Sequence, residues 1–397
     1  MKTKLWTKDF INVSGSSFFL FLTFYALLVT LPIYALQSLH GRESEAGLIV
    51  TVFLISAIIS RPLTGQWIQR FGKRPVLITS LLIFGAACAF YFIPNSMTGL
   101  LVLRFFHGIG FGMATTATGT IVADIIPDFR RGEGMGYYAM SMNLAMVIGP
   151  FLGLTIFRQW GIHMVFTIST CCALFALIMG LFIHLPKIEQ LKNKPAVKDA
   201  QLQSLFEISA IRISLTAALF GLVYASILSF VSIYAKEIGL AAAASYFFVI
   251  YAFVLLLSRP FTGRWFDIYG ANRIIYPAIV CFACGMFLLS AAKTAPSFLT
   301  AAALIGLGWG TLFPSFQTLA IQAAPPARRG LATATFLSIF DLGIGIGSFI
   351  VGLTVVKVGF SSLYFYCSIL VLLGIGVYYA LNKKAAVASI KETKQSA

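Results

Sequence analysis

Of the 13 carboxylates in the chain, twelve lie at termini, in short polar segments or near the ends of apolar runs, and Asp341 alone falls deep inside one. It follows Leu331 by ten residues. At about 1.5 Å of helical rise per residue that is about 15 Å, near the middle of a hydrocarbon core about 30 Å thick. An acid at that depth is costly and by default functional. A low dielectric disfavours its charged form, so the chemistry expected of it is proton uptake and release near neutral pH. The alternative is a carboxyl held permanently by a neighbouring Ser, Arg or backbone group. On a helical wheel Ala334, Ser338, Asp341, Gly345, Ser348 and Gly352 share one face, a small polar stripe fitted to a cavity or a close helix contact.

Arg104 sits inside another apolar run and keeps its proton under all ordinary conditions. It shares a face with Gly108, Phe111 and Thr115, with His107 and Thr118 beside it. One reading is a fixed positive charge that lowers a proton carrier's affinity or binds an anionic substrate; the other is an ion pair holding helices together. His107 is either a proton relay or a hydrogen-bonded packing residue. Gly108, Gly110 and Gly112, like Gly343 and Gly347, permit close helix packing, and the strand that a nucleotide-binding loop needs does not precede them. Cys281 and Cys284 have CxxC spacing but sit inside an apolar run without other paired ligands, and Cys88, Cys171, Cys172 and Cys367 are also in such runs. Metal, redox and disulfide chemistry are therefore not expected, and neither is a cofactor.

The elements that carry these residues follow from composition. The chain has 397 residues, 59% apolar and 11% charged, with a mean hydropathy of +0.89, whereas soluble domains carry about 25% charge. A membrane β-barrel would show alternating strands of about ten residues, but here runs of twenty or more apolar residues follow one another from Phe10 to Leu381. The net charge of +16 is spread through short segments between these runs, so it does not make the basic face that nucleic-acid binding requires. Twelve spans are predicted, at 10–37, 45–67, 75–94, 97–123, 134–157, 163–185, 209–235, 242–264, 274–292, 297–323, 331–356 and 360–381. Counting Arg61 and Arg259 with the loops, 23 of the 29 Lys and Arg fall on the side of both termini, five on the other, and Arg104 within a span. Cytoplasmic loops are the basic ones, so both termini are expected in the cytoplasm and the protein in the cytoplasmic membrane. The first apolar segment exceeds a signal-peptide core of about 7 to 15 residues and is kept as a helix. The polar stretch 187–207 reads as a cytoplasmic linker between a six-helix bundle at 1–186 and another at 208–382, with a cytoplasmic tail at 383–397. No loop is long enough for a soluble catalytic domain.

The two halves are copies. At a shift of 198 residues Arg61, Pro62, Thr64, Gly65, Trp67 and Gly72 recur as Arg259, Pro260, Thr262, Gly263, Trp265 and Gly270. Gly108, Gly110 and Gly112 recur as Gly306, Gly308 and Gly310, and Pro127, Arg130, Arg131 and Gly132 as Pro325, Arg328, Arg329 and Gly330. Ile33, Tyr34 and Ala35 return as Ile233, Tyr234 and Ala235 at a shift of 200. Two similar bundles joined by a linker can expose a central site to each side in turn. The repeat mate of Asp341 is Asn143, polar but not titrating, so one half carries the candidate proton switch.

The segment Gly65 to Arg74 resembles the loop signature of the major facilitator superfamily, a glycine followed by an acid, then Arg, Gly and a basic pair. Arg104, His107 and the glycines after them resemble that superfamily's fourth-helix motif, and Gly136, Ala145, Gly149, Pro150 and Gly153 the fifth-helix motif of its drug/proton antiporter branch. Three positions depart from the pattern: Gln69 replaces the loop acid, which the second copy keeps as Asp267; His107 stands where Gln is usual; Ala145 and Leu154 stand where Gly is expected. The resemblance implies a fold of twelve helices in two pseudo-symmetric bundles. It implies gating positions at Gly65, Arg70, Gly72, Arg74, Gly263, Asp267 and Gly270, with a carboxylate latch in the second half alone. Because the superfamily lines its cavity mainly with the first and fourth helices of each half, it also implies substrate contacts at Tyr25, Thr116, Tyr224, Trp309, Phe313 and Gln317, to which the repeat adds Asn143.

The function expected is a proton-coupled secondary transporter that exports small amphipathic or drug-like compounds by alternating access. Asp341, Arg104 and His107 would serve coupling, and the proton gradient would be the energy source. The expected partners are the lipid bilayer, a small-molecule substrate and protons, with the protein acting as a monomer. A carrier of a specific metabolite, sugar or organic anion, is the alternative, followed by a membrane receptor that does not transport. An enzyme would need a second catalytic group near Asp341, and none is evident.

Overall fold

The computed structural model describes residues 5–39, 43–184 and 205–395, except for the side chains of 43–47, 241, 245 and 382–395. Of the expected linker only residues 205–207 are among them. The described regular elements are helices: α1 (Lys8–Ser38), α2 (Glu43–Phe71), α3 (Lys73–Phe90), α4 (Met97–Ile125), α5 (Arg131–Leu181), α6 (Ile208–Glu237), α7 (Ala241–Tyr269), α8 (Ala271–Ser290), α9 (Ala295–Gln322), α10 (Arg329–Val358) and α11 (Phe360–Gln395). Among the described residues, eleven helices are long and apolar enough to cross a membrane.

Twelve spans become eleven helices because α5 holds two. It runs for 51 residues, about 77 Å at about 1.5 Å each, more than twice the thickness of a hydrocarbon core. Gly161 interrupts it with φ 78° and ψ −178°, between the two spans expected at 134–157 and 163–185. Elsewhere the ends are marked by local chemistry. Thr7 caps α1 by accepting from the Phe10 amide at 3.2 Å, Ser96 caps α4 through the Gly99 amide at 3.2 Å, and Thr294 with Ser297 forms a capping box at α9.

The sequence repeat extends to geometry. Gly72 (φ 91°, ψ 162°) precedes α3 and Gly270 (φ 85°, ψ 157°) precedes α8, a backbone region open essentially to glycine. A Cβ on Gly108 would collide with the Phe53 carbonyl, and one on Gly306 with the carbonyl of Tyr251, which is Phe53's own mate at the 198-residue shift. Small residues at both contacts let α4 lie on α2, and α9 on α7, at backbone distance.

Two compact units result: Met1–Glu207 with Pro325–Ser338, and Ile208–Ala324 with Ile339–Ala397. The first unit therefore includes the start of α10. Within it α5 packs on α1, where Gly149 and Gly153 meet Tyr25 and Ala26. In the second, Gly343 and Gly347 of α10 lie against the backbone of α6 at Ala218 and Leu222. Large apolar side chains such as Phe151 and Phe349, each 69% exposed, cover the outer surface, as a chain solvated by lipid requires.

Arg61 and Arg259, counted with the loops on sequence, lie inside α2 and α7 and are 3% exposed. A proline follows each of them and reads as punctuation. Membrane helices nevertheless tolerate internal proline, and both helices continue for about ten residues beyond it.

Candidate functional site

In the second unit an aromatic group gathers residues of four helices. Tyr224 of α6 stacks on Trp309 of α9 with ring centroids 4.3 Å apart and planes 15° apart. Its hydroxyl lies 3.0 Å from that of Tyr251 on α7. Phe282 of α8 approaches Trp309 at 5.9 Å. Phe340 of α10 stacks on Trp309 at 5.8 Å and meets Phe313 at 4.8 Å. Trp309, Phe313 and Gln317 recur at i and i+4 and so share one face of α9. Gln317 is 2% exposed and its Oε1 has no hydrogen-bond partner. Asp341 follows Phe340 directly on α10, is partly exposed and interacts within the protein. The structure thus brings Tyr224, Trp309 and Phe313 into one aromatic group, with Gln317 on the same face of α9 and Asp341 next in chain to one of its rings.

The first unit has an aromatic group at the matching positions, all phenylalanine. Phe24 stacks on Phe53 at 5.2 Å and on Phe111 at 4.9 Å, Phe53 meets Phe111 at 5.2 Å, and Phe84 meets Phe111 at 6.4 Å. Tyr25, half-buried, lies 4.9 Å from Phe24. Thr116 is buried and donates to the Gly112 carbonyl of its own helix at 2.8 Å. Asn143 is half-buried on α5.

Arg104 is fully enclosed beside this group. Its Nε donates to the Ile49 carbonyl at 3.2 Å, and its Nη1 donates to the Tyr91 hydroxyl at 3.3 Å and lies 3.4 Å from His107 Nδ1. The guanidinium carbon stands 4.1 Å from the Phe53 ring centroid, a cation–π contact that lowers the cost of enclosing the charge. Nη2 has no partner. Among the described residues no carboxylate pairs with it, and carbonyl, phenol and ring hold it where the ion-pair reading, one of the two alternatives, would have placed a carboxylate. The Tyr91 hydroxyl accepts from Arg104 and lies 2.9 Å from His107 Nδ1, while His107 Nε2 lies 3.5 Å from Cys88 Sγ. Because the guanidinium can only donate, Nδ1 is the acceptor of the Arg104 contact.

A third cluster lies at the Pro325–Ser338 end of the first unit. Asp124, in the last turn of α4, pairs with Lys73 and lies 3.1 Å from Arg329. Asp128 pairs with Arg131 and lies 3.9 Å from Arg329. Glu207 forms an ion pair with Arg328 at 2.7 Å, its amide donates to Thr335 at 2.8 Å, and Arg61 Nη1 donates to the Leu337 carbonyl at 2.9 Å. A carboxylate at a helix C-terminus opposes the helix dipole and so calls for cations, which is the sequence signal that could have found Asp124. Of the expected gating positions, Gly65 lies within packing distance of Leu331. Arg70 is exposed over Phe71 at 5.3 Å, and Arg74 donates to the Leu181 carbonyl at 3.3 Å. Gly72 and Gly270 form the two turns, Gly263 is buried in α7, and Asp267 is half-buried and interacts within the protein.

Comparison with known proteins agrees with this architecture. An uncharacterized MFS-type transporter of Methanocaldococcus jannaschii is 25% identical over 388 residues, 96% of this chain and 97% of the relative. The staphylopine export protein of Staphylococcus aureus is 23% identical over 351 residues, covering 85% and 87%. The crystal structure of the human organic anion transporter MFSD10 superposes with a TM-score of 0.75 at 17% identity, over 93% of this chain and 98% of that one, a likeness of fold. The family model for the Major Facilitator Superfamily matches residues 13–348, and the chain belongs to that superfamily.

Proposed function

We propose that the protein is a proton-coupled secondary transporter that exports small amphipathic compounds across the cytoplasmic membrane by alternating access. The observation that carries this reading is Asp341, a carboxylate ten residues into the apolar length of α10, next in chain to Phe340 of the Trp309 stack. A titrating group beside a binding surface can couple proton release to substrate uptake, because each changes the affinity for the other. Arg104 contributes a fixed internal charge, and His107 accepts its hydrogen bond. With Arg61 and Arg259 set aside as buried, the remaining loop cations still favour the side of both termini, which supports a cytoplasmic placement of the ends. Export is supported by the name of the staphylococcal relative.

Proteoliposomes with an imposed pH gradient and a ligand panel, read for both ligand and proton movement, test the proposal. Asp341→Asn is expected to abolish concentrative transport while binding and passive exchange persist. A variant that still concentrates ligand against its gradient would place the proton carrier elsewhere. A specific organic-anion carrier is the second reading, favoured by Arg259, which is 3% exposed with its Nε unpartnered.

A further inference from the structure

Arg61 and Arg259 occupy the same place in the two copies, and each is 3% exposed. Arg61 donates to a carbonyl. Arg259 does not: its Nε is enclosed without a partner, and among the described residues none accepts a hydrogen bond from its guanidinium or pairs with it as a carboxylate. A buried guanidinium without an acceptor is unfavourable, and the neighbour that acts on its charge is the Tyr251 phenol, so this place favours an acceptor from outside the chain.

Helix register places a second orphan on the neighbouring helix, about one turn away. Gly306 of α9 rests on the Tyr251 carbonyl of α7 and Gly310 rests on Leu255, so the two helices run side by side in the same direction. Extending that register by one turn sets Arg259 beside Pro314, with Gln317 in the next turn. Gln317 Oε1 is an acceptor without a donor, and Arg259 is a set of donors without an acceptor. One turn back along the same two helices stand Tyr251 and Trp309, with Tyr224 bonded to the first and stacked on the second. Asp341, the group that would draw a cation, already interacts within the protein.

We infer that the second unit holds an anion subsite, in which Arg259 takes the carboxylate of an amphipathic organic acid and Gln317 Oε1 accepts from a hydroxyl or N–H on the adjacent carbon. The apolar body of that acid lies along Tyr224, Tyr251 and Trp309. A planar guanidinium matches a carboxylate through two parallel hydrogen bonds, and an apolar wall with few convergent polar groups is the usual form of a small-molecule site. The inference rests on the transporter reading for its meaning, but binding needs no gradient.

Isothermal titration of the purified full-length protein in detergent, with 3-phenyllactate, 3-phenylpropanoate, 3-phenyllactamide and 3-phenylpropylamine as probes, tests it. The 3-phenyllactate Kd is expected to be at least about tenfold below that of the amide, with 3-phenylpropanoate between them. Arg259→Gln should bring carboxylate and amide within about twofold of each other. Gln317→Leu should erase the advantage of 3-phenyllactate over 3-phenylpropanoate and leave the preference for a carboxylate. Arg259→Lys keeps the charge but loses the fork, so its ratio should fall without vanishing, and this variant decides the matter if the Gln variant does not fold. The proposal is overturned by equal binding of carboxylate and amide, by no binding of 3-phenyllactate, by tighter binding of the amine than of 3-phenylpropanoate, or by a ratio unchanged in the Arg259 variants. Failure here would leave coupling through Asp341 intact, and failure of uphill transport would leave these affinities unchanged.

Discussion

The two aromatic groups occupy equivalent positions and serve different ends. Phe53, Phe84 and Phe111 correspond to Tyr251, Phe282 and Trp309 at a shift of 198, and Phe24 to Tyr224 at 200. In the first unit the rings enclose a cation that the protein holds through Ile49, Tyr91, His107 and Phe53, with Nη2 alone left without a partner. In the second, Ala302 and Ile305 stand where Arg104 and His107 would be, the rings carry hydroxyls and an indole, and the unpartnered polar groups are Arg259 and Gln317. One scaffold holds its enclosed cation through several neighbours, and its copy holds Arg259 without a hydrogen-bond acceptor among the described residues. Duplication therefore fixes where side chains are held and leaves free what they hold.

The comparison can be broken most severely at its shared backbone contacts. Gly108→Val and Gly306→Val should each cost at least the ~3 kcal/mol at the upper end of ordinary overpacking, because both side chains would meet a carbonyl oxygen, and size-exclusion profiles should show loss of monodisperse protein for both. Gly345→Val, with nothing within 4 Å of its Cβ, should behave as native. Equal tolerance at all three positions would remove close approach as the reason for the repeat. A smaller effect is expected at the enclosed cation. Arg104→Gln strips donors from the Ile49 carbonyl and Tyr91 and should cost about 2 kcal/mol, read as a lowered thermal midpoint in detergent; an unchanged midpoint would mean that the enclosed charge stabilises nothing.

Next is the charge cluster that has no counterpart in the second copy, where Gln322 and Pro326 stand at the positions of Asp124 and Asp128. Asp124→Asn releases Lys73 and Arg329 together. Amide exchange over residues 329–338 should then accelerate about tenfold, equivalent to about 1.4 kcal/mol of local stability, while residues 343–352 keep their protection. Uniform acceleration along α10 would deny the cluster a local role. The smallest effect belongs to Tyr251→Phe, which makes the second group resemble the first. It removes one hydroxyl pair and should cost about 1 kcal/mol, seen as a small fall in thermal midpoint that Tyr224→Phe does not deepen in the double variant.

Much of this was legible in the sequence because the chain states its plan twice. The spans and the recurrence of Gly72 as Gly270 follow from period and repeat, whereas Trp309, Phe313 and Gln317 were named by the superfamily resemblance. What escaped depended on contacts between distant helices. Nothing in the neighbourhood of Arg104 names Phe53, Tyr91 or the Ile49 carbonyl as its partners, and an ion pair was the natural alternative. Arg259 was hidden by the proline after it, which looked like the end of a span. Asp124 lacked a visible role because its cations, Lys73 and Arg329, come from opposite ends of the chain.

The turn at Gly161 bears on how the protein is made. Two spans joined through one residue of left-handed backbone (φ 78°) leave hardly any chain on the far side of the bilayer. Neither span can be threaded far ahead of the other, and the polar backbone at the turn must cross the hydrocarbon region together with both. The pair is therefore suited to entering the bilayer as a preformed helical hairpin, already folded back on itself when it leaves the insertion machinery. Gly161 is therefore expected to matter first while the chain is being inserted.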